Sequence, residues 1–277
     1  MIRLALRVAR ADAEIALAEL LELVPAGVEE VDRGDTIEYA VYGAPGELPQ
    51  LPALRAAAGA AFVDVTTTEV ADDWASRWRS FHKPLTVGDA LHVRPPWADA
   101  PDPSAGLLDV VIDPGQAFGT GAHDTTRLCL EALLELARAG HAHGPLVDLG
   151  CGSGVLAIAA SKLGWDPVRG VDHEVASVEA TFDNAEVNGV AVAVAHGDLL
   201  RDGPAPCAPT VVANLMRPLL LHLAAGGFAA GAVPRTLILS GLLAHEADEV
   251  AAAFVAHGLH EIERRHAGDW AALTLVA

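Results

Sequence analysis

The sequence predicts an α/β protein in two parts: a small ferredoxin-like α+β domain, then a larger parallel sheet wound with helices on both faces. Three observations carry this reading. The first seventy residues follow the order β-α-β-β-α-β, and from about residue 107 strands alternate regularly with helices. Apolar residues make up 52% of the 277 positions but aromatics only 5%, so the core must be built largely from Ala, Val and Leu. A chain of this length buries such a core without disulfide or metal staples.

Ile2, Leu4, Leu6 and Val8 alternate with Arg3 and Arg7, the period of a half-buried strand. Asp12 then caps a helix showing Ile15, Leu20, Leu23 and Val24, which stops at Pro25 and Gly27. Two short strands, 28–32 and 36–42, are joined into a hairpin by Arg33, Gly34 and Asp35. An Ala-rich helix near 48–58 and a strand near 62–68 complete the split βαβ pattern. Residues 71–100 read as a helical and extended linker. Trp74, Trp78 and Phe81 form a stripe on one helix face that docks it on a domain, and Pro84, Pro95 and Pro96 punctuate an extended stretch.

In the second part, strands are expected at 109–113, 145–149 and 168–172, then near 191–195, 210–213 and 236–240. Helices at 124–138, 154–163 and 174–187, with others further on, alternate with them. The last two strands, near 259–266 and 270–276, meet at Ala267, Gly268 and Asp269 as a hairpin, which makes the final strand antiparallel. Domains are therefore expected at 1–70 and 101–277, with the linker between them. Ligands of such sheets lie at the carboxyl ends of the strands.

The 37 acidic side chains outnumber the 18 basic ones, giving a net charge of −19 that argues against nucleic acid as the main partner. Cys129, Cys151 and Cys207 are too few for a disulfide framework and fit a reducing, cytoplasmic setting. Arg3, Arg7 and Arg10 interrupt any signal-peptide core. The apolar stretch 218–234 is short, holds His222 and Gly226-Gly227, and reads as a buried helix rather than a membrane span. His141 with His143, and His257 with His260, lack neighbouring cysteines or paired acids, so no metal site is expected.

The sharpest local signal is LVDLGCGSGVLAIAASKLG, residues 146–164, where an apolar strand ends in Asp148 and then Gly150, Gly152 and Gly154. Glycines there let a ligand approach the backbone and open a helix whose amides face it. A dinucleotide fingerprint is G-x-G-x-x-G; here the third glycine comes one residue early. Asp148 would repel a pyrophosphate but suits the ammonium of S-adenosylmethionine. Asp172 ends the next strand, 18 residues after Gly154, where an acid accepts ribose hydroxyls. These features favour S-adenosylmethionine over a nicotinamide dinucleotide. A second constellation, DPGQAFGTGAHDTT at 113–126, carries Gly115, Gly119 and Gly121 and opens the next helix, which Asp124 caps.

FGTGAHDTT, VDLGCGSGVLAIAASKLG, GVD at 170–172, NAEVNGV at 184–190, VVANL at 211–215 and LSGLL at 239–243 stand in one order along the chain. That order resembles the bacterial ribosomal protein L-11 methyltransferase family (PrmA), over nearly the whole length. The resemblance implies a seven-stranded class I methyltransferase domain, an N-terminal domain that docks the protein substrate, and methyl transfer from S-adenosylmethionine to amines of ribosomal protein L-11, with the protein a monomer. It places cofactor contacts at Thr126, Gly150, Asp172 and Asn214, with Phe118, Thr120, Gly152 and Asp198 around them. Asn214, at the end of its strand, can accept an amine hydrogen and orient the lone pair, which makes it the expected catalytic residue. His123 is a candidate to take the proton.

Four other readings compete. Methylation of another protein lysine keeps the chemistry and changes the partner. A nucleic-acid amino-methyltransferase would set an aromatic beside the strand-end polar residue, whereas Asn214 is followed by Leu215, Met216 and Arg217. A non-catalytic cofactor-binding module is opposed by Asn214 with an intact glycine loop, and a nicotinamide oxidoreductase by the glycine spacing.

Overall fold

The computed structural model describes residues 2–13, 16–17, 20, 28–43, 48, 54–55, 58–69, 83–114 and 123–277. The chain divides into two compact units, Met1–Phe81 and His82–Ala277.

In the first unit, β1 (Ile2–Ala9), β2 (Glu29–Asp32), β3 (Thr36–Gly43) and β4 (Phe62–Glu69) form one antiparallel sheet in the order β2-β3-β1-β4. That order is the ferredoxin-like one, with the first strand central because both crossovers return to it. Residues 13, 16, 17, 20, 54, 55 and 58 have helical backbone inside the two expected helices; the rest of those helices, and the stripe Trp74, Trp78 and Phe81, lie outside the described residues. Leu4, Leu6, Val8, Ile37, Tyr39 and Val41 alternate onto one face and pack with Ala16, Leu20, Leu54 and Ala58. The other face carries Glu38, only 3% exposed. Arg3 reaches it at 2.7 Å, Arg33 at 3.2 Å and Arg7 at 3.5 Å. Hydrogen bonding from Arg3 outweighs burial and, with Arg33, holds the Glu38 carboxyl below its ordinary value.

The second unit opens with a three-stranded sheet of β5 (Leu85–Val87), β6 (Leu91–Arg94) and β7 (Leu108–Val111). The strand expected at 109–113 thus belongs to this small sheet and not to the large one. Its apolar side chains explain the difference: Val87, Leu91, Val93, Val110 and Ile112 are all buried in one cluster with helix residues such as Leu130, Leu133 and Ile158. The small sheet covers the helical layer.

The large sheet has the order β10-β9-β8-β11-β12-β14-β13. Its elements run α1 (Asp124–Arg138), β8 (Leu146–Leu149), α2 (Val155–Leu163), β9 (Val168–Asp172), α3 (Val175–Asn188) and β10 (Val192–His196). They continue with β11 (Thr210–Asn214), α4 (Arg217–Gly226), β12 (Thr236–Leu243), α5 (Ala247–Val255), β13 (His260–Ala267) and β14 (Trp270–Val276). As the closing hairpin predicts, β14 runs antiparallel to both β12 and β13, while β8 to β12 are mutually parallel. Strands such as TVVAN read as continuous apolar runs because both faces are covered: Val212 and Ile238 join the cluster containing α1 and α2, and Val211, Leu237 and Leu239 the cluster containing α4 and α5. Among the described residues no helix is long and apolar enough to cross a membrane.

The chain winds from β8 outward to β10, then returns to β11 on the other side of β8. Strand order therefore reverses between β8 and β11, and the crevice opens at their carboxyl ends.

Candidate active site

Two adjoining cavities, of about 260 and 200 Å³, occupy that crevice and share Gly150, Asp172, His173, Leu215 and Leu219 as walls. Asp198, Leu199 and Leu200 enclose the first; Thr126, Gly152 and Asn214 line the second.

Gly150 follows β8 with φ +74°, and a Cβ there would stand 2.5 Å from Leu215 Cδ2. Any larger residue would be strained and would push into the cleft wall. Asp172, at the end of β9 and 7% exposed, faces both cavities. Its Oδ2 accepts from the Gly152 N–H at 2.9 Å and its Oδ1 from the Glu174 N–H at 3.0 Å, so the carboxylate is fixed in place and keeps further lone pairs for a ligand. Asp198 accepts from the Leu200 N–H at 2.8 Å and pairs with Arg201 at 3.4 Å, which shapes the turn beside the first cavity.

Asp148 differs from these. It is fully buried, its Oδ2 accepts from the Ala157 N–H at 3.1 Å, and it lines neither cavity. Oδ1 has no hydrogen-bond partner among the described residues. Burial, only partly offset by the Ala157 bond and reinforced by the charge of Asp172, pushes its carboxyl up to about 7. Burial likewise raises the thiols of Cys129 and Cys151, the latter to about 12, so neither is a nucleophile at neutral pH.

On the opposite wall, Asn214 ends β11 and its Nδ2 donates to Thr126 Oγ1, 3.3 Å away in the first turn of α1. The sequence-predicted Thr126 and Asn214, 88 residues apart, thus meet. Phe118 and Thr120 lie outside the described residues. The cap of α1 is His123, not Asp124: the Thr125 N–H donates to His123 Nδ1 at 3.3 Å, the imidazole stands edge-on to Trp270, and Asp124 is instead paired with Arg127 at 3.1 Å. Capping occupies the nitrogen that faces the helix start.

Sequence reasoning passed over Gly241. It interrupts β12 with φ +83°, and a Cβ there would lie 2.6 Å from the Leu215 carbonyl oxygen. Close approach of β12 to the segment after Asn214 requires glycine, and LSGLL was its only trace in the sequence. Among the described residues no three His, Cys, Asp or Glu side chains converge as a metal site.

Comparison with known proteins identifies the family. The sequence model of the family described as ribosomal protein L11 methyltransferase (PrmA) matches residues 50–277. A ribosomal protein L11 methyltransferase of Burkholderia vietnamiensis (strain G4 / LMG 22486) is 36% identical over 297 residues, spanning 98% of this chain and 96% of its own. One from Ralstonia pickettii (strain 12J) is 38% identical over 275 residues, 90% of each chain. The crystal structure of the ribosomal protein L11 methylase from Lactobacillus delbrueckii subsp. bulgaricus superimposes with a TM-score of 0.59 at 28% identity, covering 69% of this chain and 97% of that one. The chain belongs to the ribosomal protein L11 methyltransferase (PrmA) family and is an S-adenosylmethionine-dependent methyltransferase.

Proposed function

We propose that this enzyme methylates lysine ε-amines, the N-terminal α-amine, or both, of ribosomal protein L11, and that the crevice between β8 and β11 is where it does so. The observation that carries the reading is the pairing of Asn214 with Thr126 across from the glycine loop and Asp172. The names of the full-length relatives support the substrate.

The residues fit the cofactor. Asp148 holds, among the described residues, an unpaired carboxylate oxygen under the loop, a placement that favours a cation above it, and the positive φ of Gly150 with Leu215 packed against it keeps the cleft wall free of a side chain at that turn. Asp172 would hold the ribose hydroxyls, Asp198 the far end of the nucleoside, and Gly150 and Gly152 the close backbone approach. When bound, S-adenosylmethionine supplies a methyl group already activated by its sulfonium charge.

Catalysis by the chain is then a matter of positioning. Because Asn214 Nδ2 is engaged by Thr126, its Oδ1 is the end left to accept a hydrogen from the incoming amine and aim its lone pair. A lysine has an ordinary pKa of ~10.4, and freeing its lone pair at neutral pH costs about 1.36 kcal/mol per unit. Leu215 and Leu219 make the wall apolar, which lowers that cost by disfavouring the ammonium. His123, committed to capping, contributes to the helix start and not to proton removal. The N-terminal unit, with 12 acidic and 5 basic residues in positions 1–70, suits a basic protein substrate.

The test is incubation with labelled S-adenosylmethionine and unmethylated ribosomal proteins, followed by mass spectrometry. Label is expected on L11, and its absence there would overturn the substrate. In the same assay Asn214→Ala should cut turnover about a hundredfold with little change in L11 binding, the pattern of a group used in the transition state.

A further inference from the structure

The inward side of α3 is unusual for a helix laid on a sheet. Ser177, Thr181, Asn184 and Asn188 recur at helical spacing, and the first three are buried, where apolar side chains are the rule. Buried polar groups need partners: Ser177 donates to Glu174 Oε2 at 3.4 Å, and the other three find theirs mainly on two pieces of backbone. Thr181 Oγ1 donates to the Gly152 carbonyl at 2.9 Å, and Asn184 Nδ2 donates to the Ser153 carbonyl, also at 2.9 Å. Through Oδ1, Asn184 accepts from the Asp113 N–H at 2.9 Å. One turn further on, Asn188 accepts from the Val111 N–H at 2.9 Å and donates to the Val111 carbonyl at 2.6 Å, pairing with the end of β7 as a neighbouring strand would. NAEVNGV is thus the sequence trace of a clamp between α3, β7 and the glycine loop.

We infer that Thr181 and Asn184 are positioning residues for the cofactor loop, holding the Gly152 and Ser153 carbonyls down against α3. The inference rests on residues 150–154 being that loop. Neither side chain lines the cleft, so both carbonyls are turned into the interior. Left unheld, a glycine-rich segment can rotate its peptide planes at little steric cost. Carbonyl oxygens turned outward would repel the carboxylate end of the cofactor and crowd its approach. Thr181 adds a steric stop: its Cγ2 lies where a Cβ on Gly154 would come within 2.8 Å. Asn188 shares the helix face but, among the described residues, its hydrogen bonds go to β7 and α3 itself and not to the glycine loop, which makes it the internal control.

Calorimetry of S-adenosylmethionine binding, with steady-state kinetics on L11, tests this. Thr181→Val, which keeps the shape and removes the hydroxyl, and Asn184→Ala should each weaken cofactor binding about tenfold while kcat at saturating cofactor stays within about twofold. Thr181→Ser should restore the affinity, and Asn188→Ala should lower the melting temperature without moving the Kd. If Asn184→Ala does not fold, Thr181→Val with its Ser rescue decides. Wild-type affinity in Thr181→Val, no rescue by Ser, or an equal loss in Asn188→Ala would overturn the inference. Asp172→Ala is measured alongside: if it loses cofactor while Thr181→Val does not, positioning alone fails, whereas normal binding in Asp172→Ala overturns the loop assignment and this inference with it.

Discussion

The two units each bury a carboxylate, and they treat it in opposite ways. In the N-terminal sheet Glu38 is surrounded by Arg3, Arg7 and Arg33, and its carboxyl is held below the ordinary range. Beneath the glycine loop Asp148 has, among the described residues, one backbone N–H, no cation and one unpaired oxygen, and its carboxyl is raised to about 7. A buried charge that the fold itself neutralises is structural. One that the fold leaves unneutralised costs stability in the free protein and is worth keeping only where a ligand completes it.

The comparison breaks most visibly at Asp148. Asp148→Asn should weaken S-adenosylmethionine binding about a hundredfold, ~3 kcal/mol, through the field of a charge lying beneath the loop at low local dielectric, since the carboxylate lines neither cavity. The same change should raise the melting temperature of the free protein at pH 8 and leave it unchanged near pH 4. The sign follows from linkage: a carboxyl whose folded value lies above its unfolded value favours the folded state at low pH, and that advantage is lost as pH rises from about 4 through about 7. Unchanged affinity by calorimetry would remove Asp148 from the cofactor's surroundings.

A smaller effect is expected at Glu38. Glu38→Gln should cost about 2 kcal/mol in urea denaturation, because it removes the buried charge that three partly exposed guanidinium groups converge on, with no change in cofactor affinity. Its pH dependence runs the other way: the wild-type advantage is present above the ordinary glutamate range and disappears as the solution is acidified through the lowered folded value. Equal slopes in the two variants would collapse the distinction. Smallest of all, Arg33→Ala should cost about 0.5 kcal/mol, since that side chain is half exposed and its pair is screened. A loss matching that of Glu38→Gln would show that Arg33, and not Arg3, anchors the carboxylate.

Periodicity read the regular elements well where one pattern ran long enough. The bounds of β9 and α1 match the sequence expectation, because VRGVD is bounded by Pro167 and by the start of the next helix, and the helix 124–138 has more than three turns of apolar stripe. It failed for β5 and β6, whose strands of three or four residues are too short for alternation to separate from loop, and it found β7 but assigned it to the large sheet, because the small sheet exists only as a cover for the helices. At the site, Gly150, Asp172 and Asn214 were legible from spacing and strand ends. The cap at His123 was not, since local preference points to the Asp beside it. Nor was the clamp of Asn184 and Asn188, because polar residues on a helix ordinarily mark the solvent side.

The position of β14 bears on how the enzyme comes into being. This strand follows β13 in sequence yet sits between β12 and β13, so β13 has no neighbour in the sheet until β14 has been made. During vectorial synthesis the catalytic unit therefore cannot close its sheet early, and β12 keeps an open edge able to pair with another chain. Pairing of β14, more than collapse of any local motif, is the event that makes this sheet safe from misassembly.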